Sequence, residues 1–416
     1  MQEDKIMRKG KNTRRSFLAK AAATFASPLF VKSTVLGGPG GWAPSERINV
    51  GCIGVGGRGT HNMRIFLRRP EVRVVAVCDV YGSKRERAKN EVDKTYGSKD
   101  CKAYNDFREL LERDDIDAVS IATPDHWHAI MGLYACRKGK DVFCEKPLTL
   151  TIREGRLLVE AARKYKRVFS SGSQRVLEDY GHLARAVRSG AAGEIKEVYV
   201  DVGGPSRLCF YPGQPIPKDL DWQMWLGPAP DAPYHPWRCS GAYGLGGKGW
   251  RTWFDYSGGM MTDWGGHKFG GALFALGLEK TGPIEVIPPD RKEHKWLTFI
   301  FKNGIRMYHA PGSGLNITFV GTEGRIPPKK AVKPVDMPGY KGHGGIIGDF
   351  IHCVLTRKTP FRDVEIAHRT ATVCHLGNIA YHLNRRIRWD PDKEEIIDDY
   401  EASCWLDRPR RDPWKI

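Results

Sequence analysis

The stretch that decides the fold is Ile48 to Asp79, which opens with INVGCIGVGGRG and closes with VRVVAVCD. The apolar run from Ile48 to Ile53 predicts a strand, and Gly54, Gly56 and Gly59 follow it in G-x-G-x-x-G spacing. Such glycines turn the chain sharply, let a pyrophosphate approach the backbone and bring the next helix close to the strand, so that free amides face the phosphates. The pattern predicts a dinucleotide site.

An acid ends the second predicted strand of this stretch. Asp79 stands 20 residues after Gly59 (79 − 59), where a carboxylate is expected to meet the ribose hydroxyls, so the pattern favours NAD. Lys84 and Arg85 could attract the 2′-phosphate of NADP, but Asp79 would repel it, and NADP is therefore the weaker alternative. An ordinary βα turn is the other alternative, which the combination of strand, glycines, helix and spaced acid disfavours.

The length and the net charge of the chain limit the classes of protein to which it can belong. The 416 residues exceed one compact core and indicate two domains. The net charge is +18, of which residues 1–40 contribute +6, because they hold eight Lys or Arg against Glu3 and Asp4, and +12 remains in the body. The body shows neither zinc-finger spacing nor an arginine-rich block, so this excess indicates a solvated face, and no nucleic-acid partner is expected.

The N-terminus resembles an export signal. TRRSFLAK, Thr13 to Lys20, places two adjacent arginines before a short apolar region, Ala21 to Val31, in the manner of a twin-arginine signal. The apolar region is shorter than the roughly 20 residues that span a bilayer. We expect the twin-arginine machinery to export the folded chain to the periplasm, with membrane association if the signal stays uncleaved; a basic disordered tail is the alternative.

Composition divides the chain into three parts. Residues 1–46 hold the signal and a linker rich in Gly, Pro and Ser. Over residues 47–170 predicted strands and helices alternate, which indicates a parallel α/β sheet of the Rossmann type. Over residues 171–416 strands such as EIKEVYVDV, WLTFIFK and GIRMYHA alternate in the manner of an antiparallel sheet with one covered face, which predicts an α+β domain. Residues 203–259 form a long aromatic loop region that is expected to be functional.

Within residues 47–170 the sequence pattern also predicts individual elements. Helices are expected near Ser83 to Tyr96, Asp106 to Glu112 and Thr149 to Tyr165. Buried strands are expected in IDAVSIATP and DVFCEKP.

Two segments carry residues suited to proton transfer. In SGGMMTDWGGH, Asp263 and His267 are four residues apart and share one helical face, where the acid near the helix start could tune the imidazole. Lys146 follows a buried strand in CEKP, and functional groups in open α/β sheets gather at such strand ends, so its ammonium is expected beside the nicotinamide. A structural pair and a solvated loop lysine are the alternatives.

No metal site is predicted. His126 and His128 alternate in ATPDHWHA, but no third ligand has a recognisable spacing. None of the ten cysteines forms a CxxC pair, so neither structural zinc nor more than a few disulfides is expected. Cys52, Cys78 and Cys144 lie in or beside apolar strands and are expected to be small buried side chains.

From Arg47 onward the chain resembles the glucose-fructose oxidoreductase and inositol dehydrogenase family (Gfo/Idh/MocA). The matching segments are GVGGRG, VCD, ATPDHWHA, EKP, GSQR, WLGPAP and GGMMTDWGGH. The resemblance implies an N-terminal Rossmann domain, a C-terminal domain whose open, largely antiparallel sheet supports substrate binding and oligomerisation, and Lys146, Asp263 and His267 as the catalytic set. Gly270 is a departure, because relatives often carry an acid three residues after the histidine, so a relative's substrate does not transfer directly.

The expected site has a cofactor part and a substrate part. The cofactor contacts are expected to be Gly54, Gly56, Gly57, Arg58, Gly59, Asp79, Thr123, Pro124, His126, His128, Glu145, Lys146 and Gln174. The substrate contacts are expected to be Lys146, Arg175, Trp222, Trp225, Trp237, Arg238, Trp253, Asp263 and His267. The tryptophans could stack on sugar C–H faces or pack in a core. Arg251 is a further candidate for orienting hydroxyls or an acidic group.

Three functions are open at this point. The first is an exported NAD-dependent oxidoreductase that removes a hydride from a carbinol carbon of a sugar, polyol or glycoside, with His267 as base and Lys146 offsetting negative charge. Its cofactor would be tightly retained, because free NAD is scarce outside the cytoplasm. The second is a redox-neutral NAD-dependent glycoside hydrolase that oxidises, eliminates, hydrates and reduces. The third is a non-catalytic nucleotide- or sugar-binding protein. A homo-oligomer, dimer or tetramer, is also expected.

Overall fold

The computed structural model describes residues 42–241, 249–290, 292–326 and 335–416. The chain divides into two units, Met1–Arg47 and Ile48–Ile416. In the first unit the described residues include a short 3-10 helix, Pro44–Glu46. The export motif at residues 13–20 lies outside the described residues. Within the ranges given above, no helix is both long enough and apolar enough to cross a membrane.

Six parallel strands form the N-terminal sheet, in the order β3-β2-β1-β4-β5-β6. The strands are β1 (Ile48–Ile53), β2 (Val72–Cys78), β3 (Lys102–Tyr104), β4 (Ala118–Ile121), β5 (Asp141–Cys144) and β6 (Phe169–Ser171). The helices between them are α1 (Gly57–Leu67), α2 (Gly82–Tyr96), α3 (Phe107–Leu111), α4 (Asp125–Arg137) and α5 (Ile152–Lys164). This strand order is that of a Rossmann sheet, which confirms the predicted class.

Capping residues set the starts of the predicted helices. Asp106 accepts a hydrogen bond from the Arg108 amide at 2.9 Å, so α3 begins after the acid. Thr151 accepts from the Glu154 amide while the Glu154 carboxylate accepts from the Thr151 amide, and this capping box starts α5 at Ile152 rather than at the predicted Thr149. Strand β3, only three residues long, was not predicted.

In the part of the chain that the structure describes, eight strands form the second sheet, in the order β12-β11-β7-β10-β9-β8-β13-β14. They are β7 (Ile195–Val200), β8 (Glu285–Ile287), β9 (Leu297–Ile300), β10 (Arg306–His309), β11 (Ile317–Gly321), β12 (Gly324–Ile326), β13 (Ile387–Asp390) and β14 (Glu395–Ile396). Strands β7 and β10 run parallel, and the other described neighbours run antiparallel. The prediction of a largely antiparallel sheet is therefore confirmed.

The C-terminal part also supplies helices that cover the sheets. They are α6 (Arg175–Glu178), α7 (Gly181–Arg188), α8 (Trp222–Leu226), α9 (Pro236–Cys239), α10 (Met260–Asp263), α11 (Gly265–Leu276), α12 (Gly345–Thr356), α13 (Val364–Leu383) and α14 (Tyr400–Ser403). Helices α7, α11 and α13 share one buried apolar cluster with the second sheet. This cluster fixes α11, the helix that carries His267.

Helix α12 belongs to the C-terminal part of the chain but packs on the first sheet. The ring of Phe350 lies 6.4 Å from that of Phe66 and 5.8 Å from that of Phe143, measured between centroids. Strand β6 also extends to Ser171, past the predicted boundary at residue 170. A helix of the C-terminal part therefore completes the packing of the first sheet, and both sheets belong to the compact unit Ile48–Ile416.

The aromatic region 203–259 is described except for residues 242–248. It contains α8, α9 and a 3-10 helix, Trp250–Thr252. Its buried rings form a cluster of their own, which includes Trp222, Trp225, Trp250, Trp253 and Tyr256. Most of these rings therefore serve as the core of a loop structure.

Candidate active site

A cleft of about 1070 Å³ opens where the strands of the first sheet end. Its floor includes Gly54 after β1, Asp79 after β2, Thr123 after β4 and Lys146 after β5. Residues of the C-terminal part, His267 among them, form the opposite wall. The carboxyl ends of parallel strands are where ligands bind in open α/β sheets.

The glycine-rich turn leaves room at one position and none at two others. Gly54 has φ +79°, and a Cβ there would lie 2.8 Å from the Ala122 carbonyl. A Cβ on Gly59 would lie 1.7 Å from the Gly54 oxygen. A Cβ on Gly56 would meet no described atom within 4 Å, and Gly56 lines the cleft at the start of α1. The turn thus presents an open helix N-terminus suited to an anion.

Asp79 is held by the turn that it faces. Its carboxylate accepts hydrogen bonds from the amides of Val55 (2.9 Å) and Tyr81 (3.0 Å). Burial raises the pKa of this carboxyl above its ordinary value. Lys84 lies over the Tyr81 ring at 3.6 Å from its centroid, whereas Arg85 donates to the Asp79 carbonyl and to Asn105. Both Asp79 and Lys84 line the cleft.

Lys146 is held by an acid from the other side of the cleft. Its Nζ donates to Asp263 Oδ1 at 2.8 Å and to the Asp263 carbonyl at 3.0 Å. Arg251 Nε donates to the same Oδ1 at 3.2 Å. Asp263 ends the short helix α10, two residues before α11, and its side chain is buried. The acid that was expected to tune His267 therefore positions two cations of the reactive end.

His267 is a buried neutral base. It is 4% exposed, lines the cleft and lies edge-on to Trp264 at 6.0 Å between ring centroids. Burial lowers its pKa well below the ordinary value, and the cations Lys146, Arg175, Arg58 and Arg362 lower it further. Its Nδ1 has no hydrogen-bond partner among the described residues. The imidazole is thus uncharged near neutral pH and can accept a proton.

A second buried acid lies behind Asp263 and was not predicted as part of the site. Asp125, the first residue of α4, is 1% exposed and accepts a hydrogen bond from Ser257 Oγ at 2.8 Å. Burial, followed by the charge of Asp263, raises its pKa to about 7. Ser257 Oγ in turn accepts from the Gly259 amide at 3.2 Å, so this contact ties α4 to the segment that leads into Asp263.

Glu145 connects the first helix to the strand that carries Lys146. Its carboxylate accepts from Arg58 Nε at 2.7 Å and from Asn62 Nδ2 at 2.9 Å, both in α1. The acid is buried while the Arg58 side chain is partly exposed. Arg58, Glu145 and Gln174 all line the cleft, and their contact with a cofactor stays a prediction.

Two predicted cofactor contacts lie away from the cleft wall. His126 Nε2 is 3.0 Å from the Trp225 carbonyl oxygen, and burial lowers its pKa to about 4. The ring nitrogens of His128 lie 2.8 Å and 3.0 Å from the carbonyl oxygens of Pro147 and Thr123. Neither histidine belongs to the described lining of the cleft. These contacts pack α4 against neighbouring backbone, and cofactor contact by the two histidines stays a prediction.

Some of the predicted substrate contacts line the cleft, and others lie outside its described lining. Trp225 and Arg175 line the cleft with Lys146 and His267. Trp222, Arg238 and Trp253 are buried in the aromatic region, outside the described lining. Trp237 is 42% exposed and also lies outside that lining. Substrate contact by these four side chains stays a prediction.

The cleft residues that the prediction missed include two tryptophans. Trp250 and Trp264 line the cleft, and their rings lie under the guanidinium carbons of Arg251 (4.2 Å to the centroid) and Arg175 (5.1 Å). Trp264 directly follows Asp263 in the sequence, which was an available signal. Trp250 has no such signal, because it is one of many tryptophans in its region.

The search for a metal centre covers the His, Cys, Asp and Glu side chains of the described residues. In the part of the chain that the structure describes, no group of three or more His, Cys, Asp or Glu is placed to hold a metal ion. All ten cysteines are free thiols, and Cys52, Cys78 and Cys144 are buried, as expected.

Comparison with known families matches most of the chain. The model for the NAD-binding Rossmann fold of the GFO_IDH_MocA oxidoreductase family matches residues 48–173. The model for the C-terminal alpha/beta domain of the same oxidoreductase family matches residues 209–416.

Named relatives match a shorter part. A "Glycosyl hydrolase family 109 protein" of Saccharopolyspora erythraea is 36% identical over 161 residues, which are 36% of this chain and 34% of the relative. An "Alpha-N-acetylgalactosaminidase" of Shewanella oneidensis is 36% identical over 154 residues, 36% of this chain and 32% of the relative. The match therefore spans about a third of the length of these curated relatives.

Solved structures share the fold across both domains. Myo-inositol 2-dehydrogenase from Lactobacillus plantarum gives a TM-score of 0.56 at 17% identity, covering 82% of this chain and 99% of that one. Scyllo-inositol dehydrogenase from Lactobacillus casei, with bound NAD(H) and scyllo-inositol, gives 0.55 at 16% identity, covering 82% and 98%.

The Rossmann sheet, the open glycine-rich turn and the cleft between two domains define an NAD-binding oxidoreductase fold. The chain belongs to the Gfo/Idh/MocA oxidoreductase family, as its motifs had indicated.

Proposed function

We propose that the protein is an exported NAD-dependent oxidoreductase that acts on a sugar, polyol or glycoside at a carbinol carbon and retains its cofactor tightly. The observation that carries this proposal is one cleft lined by Gly56, Asp79, Lys146 and His267. These residues come from both domains. Their chemistry suits a dinucleotide at one end and proton transfer at the other.

The residues present fit NAD. The open side of Gly56 and the free first turn of α1 would hold the pyrophosphate, and Asp79 would accept the ribose hydroxyls. A 2′-phosphate would meet the Asp79 carboxylate, although Lys84 lies nearby, so NADP is the weaker candidate. Bound here, the nicotinamide would supply a hydride acceptor. The volume of the cleft, about 1070 Å³, is at the upper end of the roughly 300–1,000 Å³ of small-molecule sites.

The side chains at the reactive end have different roles in the proposed reaction. The neutral imidazole of His267 takes the proton of the reacting hydroxyl. The ammonium of Lys146, oriented by Asp263, stabilises the negative charge that develops on the carbinol oxygen. Trp225, Trp250 and Trp264 exclude water from this end and offer ring faces to sugar C–H groups.

A redox-neutral glycoside hydrolase is the second candidate. Relatives named for glycosyl hydrolase family 109 and alpha-N-acetylgalactosaminidase support it, since they share 36% identity with about a third of this chain. In that reaction class a substrate ketone acidifies the neighbouring C–H, so that the aglycone is eliminated and water is added. Retained NAD suits both candidates, because the oxidoreductase closes its cycle by passing the hydride to a second sugar, whereas the hydrolase returns the hydride to the same substrate.

We further propose that the twin-arginine motif at residues 13–20 directs export to the periplasm. This route carries folded proteins, so the chain could load its dinucleotide in the cytoplasm. Fractionation of cells that express the parent and a variant with Arg14 and Arg15 replaced by lysine tests the proposal. The parent is expected in the periplasm and the variant in the cytoplasm; equal distribution would contradict export by this signal.

A homo-oligomer, dimer or tetramer, is proposed as the working assembly. One face of the second sheet carries the stacked rings of Tyr199 and Tyr308, 4.8 Å between centroids, beside a groove of about 460 Å³. Aromatic and mixed polar side chains of this kind favour association. Light scattering on the purified protein is expected to give two or four chains, and a monomer would contradict the proposal.

The activity is tested by denaturing the purified protein and identifying the released nucleotide by mass spectrometry. The intact protein is then offered free sugars, polyols and aryl glycosides without added cofactor. Released NAD with turnover supports the oxidoreductase, and aglycone release without net reduction identifies the hydrolase. Strict dependence on added NAD would contradict tight retention. If the biological effect of the protein survives His267→Ala, that result would instead favour a binding protein without catalysis.

A further inference from the structure

A small cavity lies where the end of β6 meets helices α11 and α13. Its volume is about 10 Å³, near the roughly 10–15 Å³ that one water molecule needs, so it suits a single small occupant. The polar side chains of its lining are those of Lys146, Ser171, Ser173, Thr262, Arg362 and Thr370. The cavity is distinct from the cleft, because Arg362 and the two serines do not belong to the described lining of the cleft.

Arg362 brings a buried positive charge to this cavity. Its side chain is 1% exposed, and burial lowers its pKa to about 10, so the guanidinium is still charged at neutral pH. Its side-chain hydrogen bonds to described residues go to two uncharged groups, Ser173 Oγ at 2.8 Å and Thr370 Oγ1 at 3.3 Å. Glu279 is the acid whose charge acts on Arg362, but no described ion pair joins the two side chains. An ionised group buried in this way favours a counter-ion at close range.

The groups around the cavity can donate hydrogen bonds. A guanidinium has five N–H donors, and the bonds to Ser173 and Thr370 use two of those of Arg362. Ser173 Oγ accepts from Arg362 and therefore keeps its own hydrogen to donate, and the hydroxyl of Ser171 is a second donor. Thr370 Oγ1, by contrast, donates to the Ile366 carbonyl at 3.0 Å.

The described lining of the cavity contains neither Asp nor Glu. A positive charge and free N–H and O–H donors without a competing carboxylate favour an anion. The volume restricts that anion to a monatomic one, because phosphate, sulfate and carboxylates are several times larger than a water molecule. A water molecule also fits the space, but it carries no charge that would balance the guanidinium.

We propose that this cavity binds a chloride ion, which is held by the guanidinium of Arg362 and the hydroxyls of Ser171 and Ser173. The ion joins three elements, since Ser171 ends β6, Arg362 precedes α13, and the guanidinium also packs against α11. A Cβ on Gly270 of α11 would lie 3.3 Å from Arg362 Nη2. Bound chloride therefore stabilises the junction that supports α11, the helix of His267. The site does not depend on the proposed reaction, because it lies outside the cleft.

Thermal unfolding of the NAD-loaded protein tests the site without any assay of turnover. Potassium chloride is compared with potassium methanesulfonate at equal ionic strength, with saturating NAD in every sample so that chloride does not act through an empty phosphate site. Once chloride exceeds its Kd, Tm is expected to rise by on the order of 1–2 °C for each tenfold increase in chloride. Methanesulfonate is too large for the cavity and should give no such rise.

Three variants locate the effect. Arg362→Met removes the charge while keeping an apolar chain in the buried space, and it should abolish the difference between the two salts. Ser171→Ala removes one donor and should shift the chloride dependence to higher concentrations. Arg185→Gln, which removes an exposed charge from α7, should leave the dependence unchanged.

Long-wavelength diffraction from crystals grown in chloride locates the ion by its anomalous scattering. A peak between Arg362 and Ser171 is expected. Equal Tm values in the two salts, or a chloride effect that survives Arg362→Met, would overturn the proposal. A scatterer at the site without an anomalous signal would identify water, and peaks confined to the surface would show an adventitious ion only. If Arg362→Met does not fold, Ser171→Ala and the anomalous map of the parent decide the question.

Discussion

The two ends of the cleft differ in the kinds of groups that form them and in how far apart these groups lie in the sequence. The cofactor end is built around one continuous stretch, Ile48–Asp79, which supplies the glycines, the backbone amides at the start of α1 and Asp79. The reactive end is assembled from side chains far apart in the sequence, with Lys146, Arg251 and His267 meeting around Asp263. The comparison teaches that backbone geometry follows from local spacing, whereas a network of side chains depends on the whole fold.

The largest effect is expected from removing the base at the reactive end. His267→Ala should lower kcat/KM by about 10²–10⁴-fold, because the reacting hydroxyl loses its proton acceptor. Bound nucleotide, measured by mass spectrometry, should stay at the parent level, since His267 lies at the other end of the cleft. His182→Ala removes an exposed histidine of α7 and serves as control. Loss of nucleotide together with activity would show that the two ends are not separable.

Substitutions of two glycines at the cofactor end separate an effect on stability from an effect on NAD binding. Gly59→Ala should lower the free energy of unfolding by about 3 kcal/mol or more, because its Cβ would lie 1.7 Å from a backbone oxygen that cannot move aside. Gly56→Ala should leave thermal stability near the parent value but weaken NAD binding, because its Cβ points into the open cleft. Calorimetry and NAD titration measure both. Equal stability of the two variants would contradict the described turn.

Most of the first domain could be predicted because its signals are local. The apolar runs gave β1, β2, β4 and β5, and the glycine spacing located the start of α1. The return of α12 to the first sheet could not be predicted, since the contact of Phe350 with Phe66 joins residues far apart in the sequence. Strand β3 was too short to show a pattern.

The sequence allowed us to predict which residues belong to the reactive end, but only some of the contacts that they make. Lys146 and His267 were placed in the cleft by their positions after a strand and within a glycine-flanked helix. That Asp263 binds Lys146 and Arg251 required the fold, because helical spacing suggests only the neighbour at i+4. His126 and His128 follow the same strand as Thr123, and only the packing of α4 decides that they point away from the cleft wall.

A buried acid offers a test of electrostatics at the reactive end. The folded pKa of Asp125, about 7, lies above its unfolded value, so its contribution to stability is present at low pH and is lost as pH rises toward 7. Asp125→Asn should therefore raise the free energy of unfolding at pH 8 by on the order of 2–4 kcal/mol, with little change at pH 4. Urea titrations at both pH values measure it, with the exposed Asp392→Asn as control. An equal change in the free energy of unfolding at both pH values would contradict the claim that ionisation of buried Asp125 destabilises the fold.

The smallest expected effect is on the pH profile. Burial, and then the neighbouring cations, lower the pKa of His267, so the acidic limb of kcat/KM should lie well below pH 6.5. Arg175→Gln removes one of these cations and should move the limb upward by less than about one pH unit, because Arg175 is partly exposed. Arg185→Gln should not move it. A downward shift in Arg175→Gln would contradict the positive field at His267.

The most direct measurement combines the two ends in one experiment. The protein is purified without added nucleotide, mixed anaerobically with candidate sugars and glycosides, and followed by the absorbance of reduced nicotinamide and by product formation. The parent is expected to show reduced cofactor or product from its own retained NAD, and His267→Ala is expected to show neither while releasing the same amount of NAD on denaturation. Turnover by a parent that releases no dinucleotide would contradict the account.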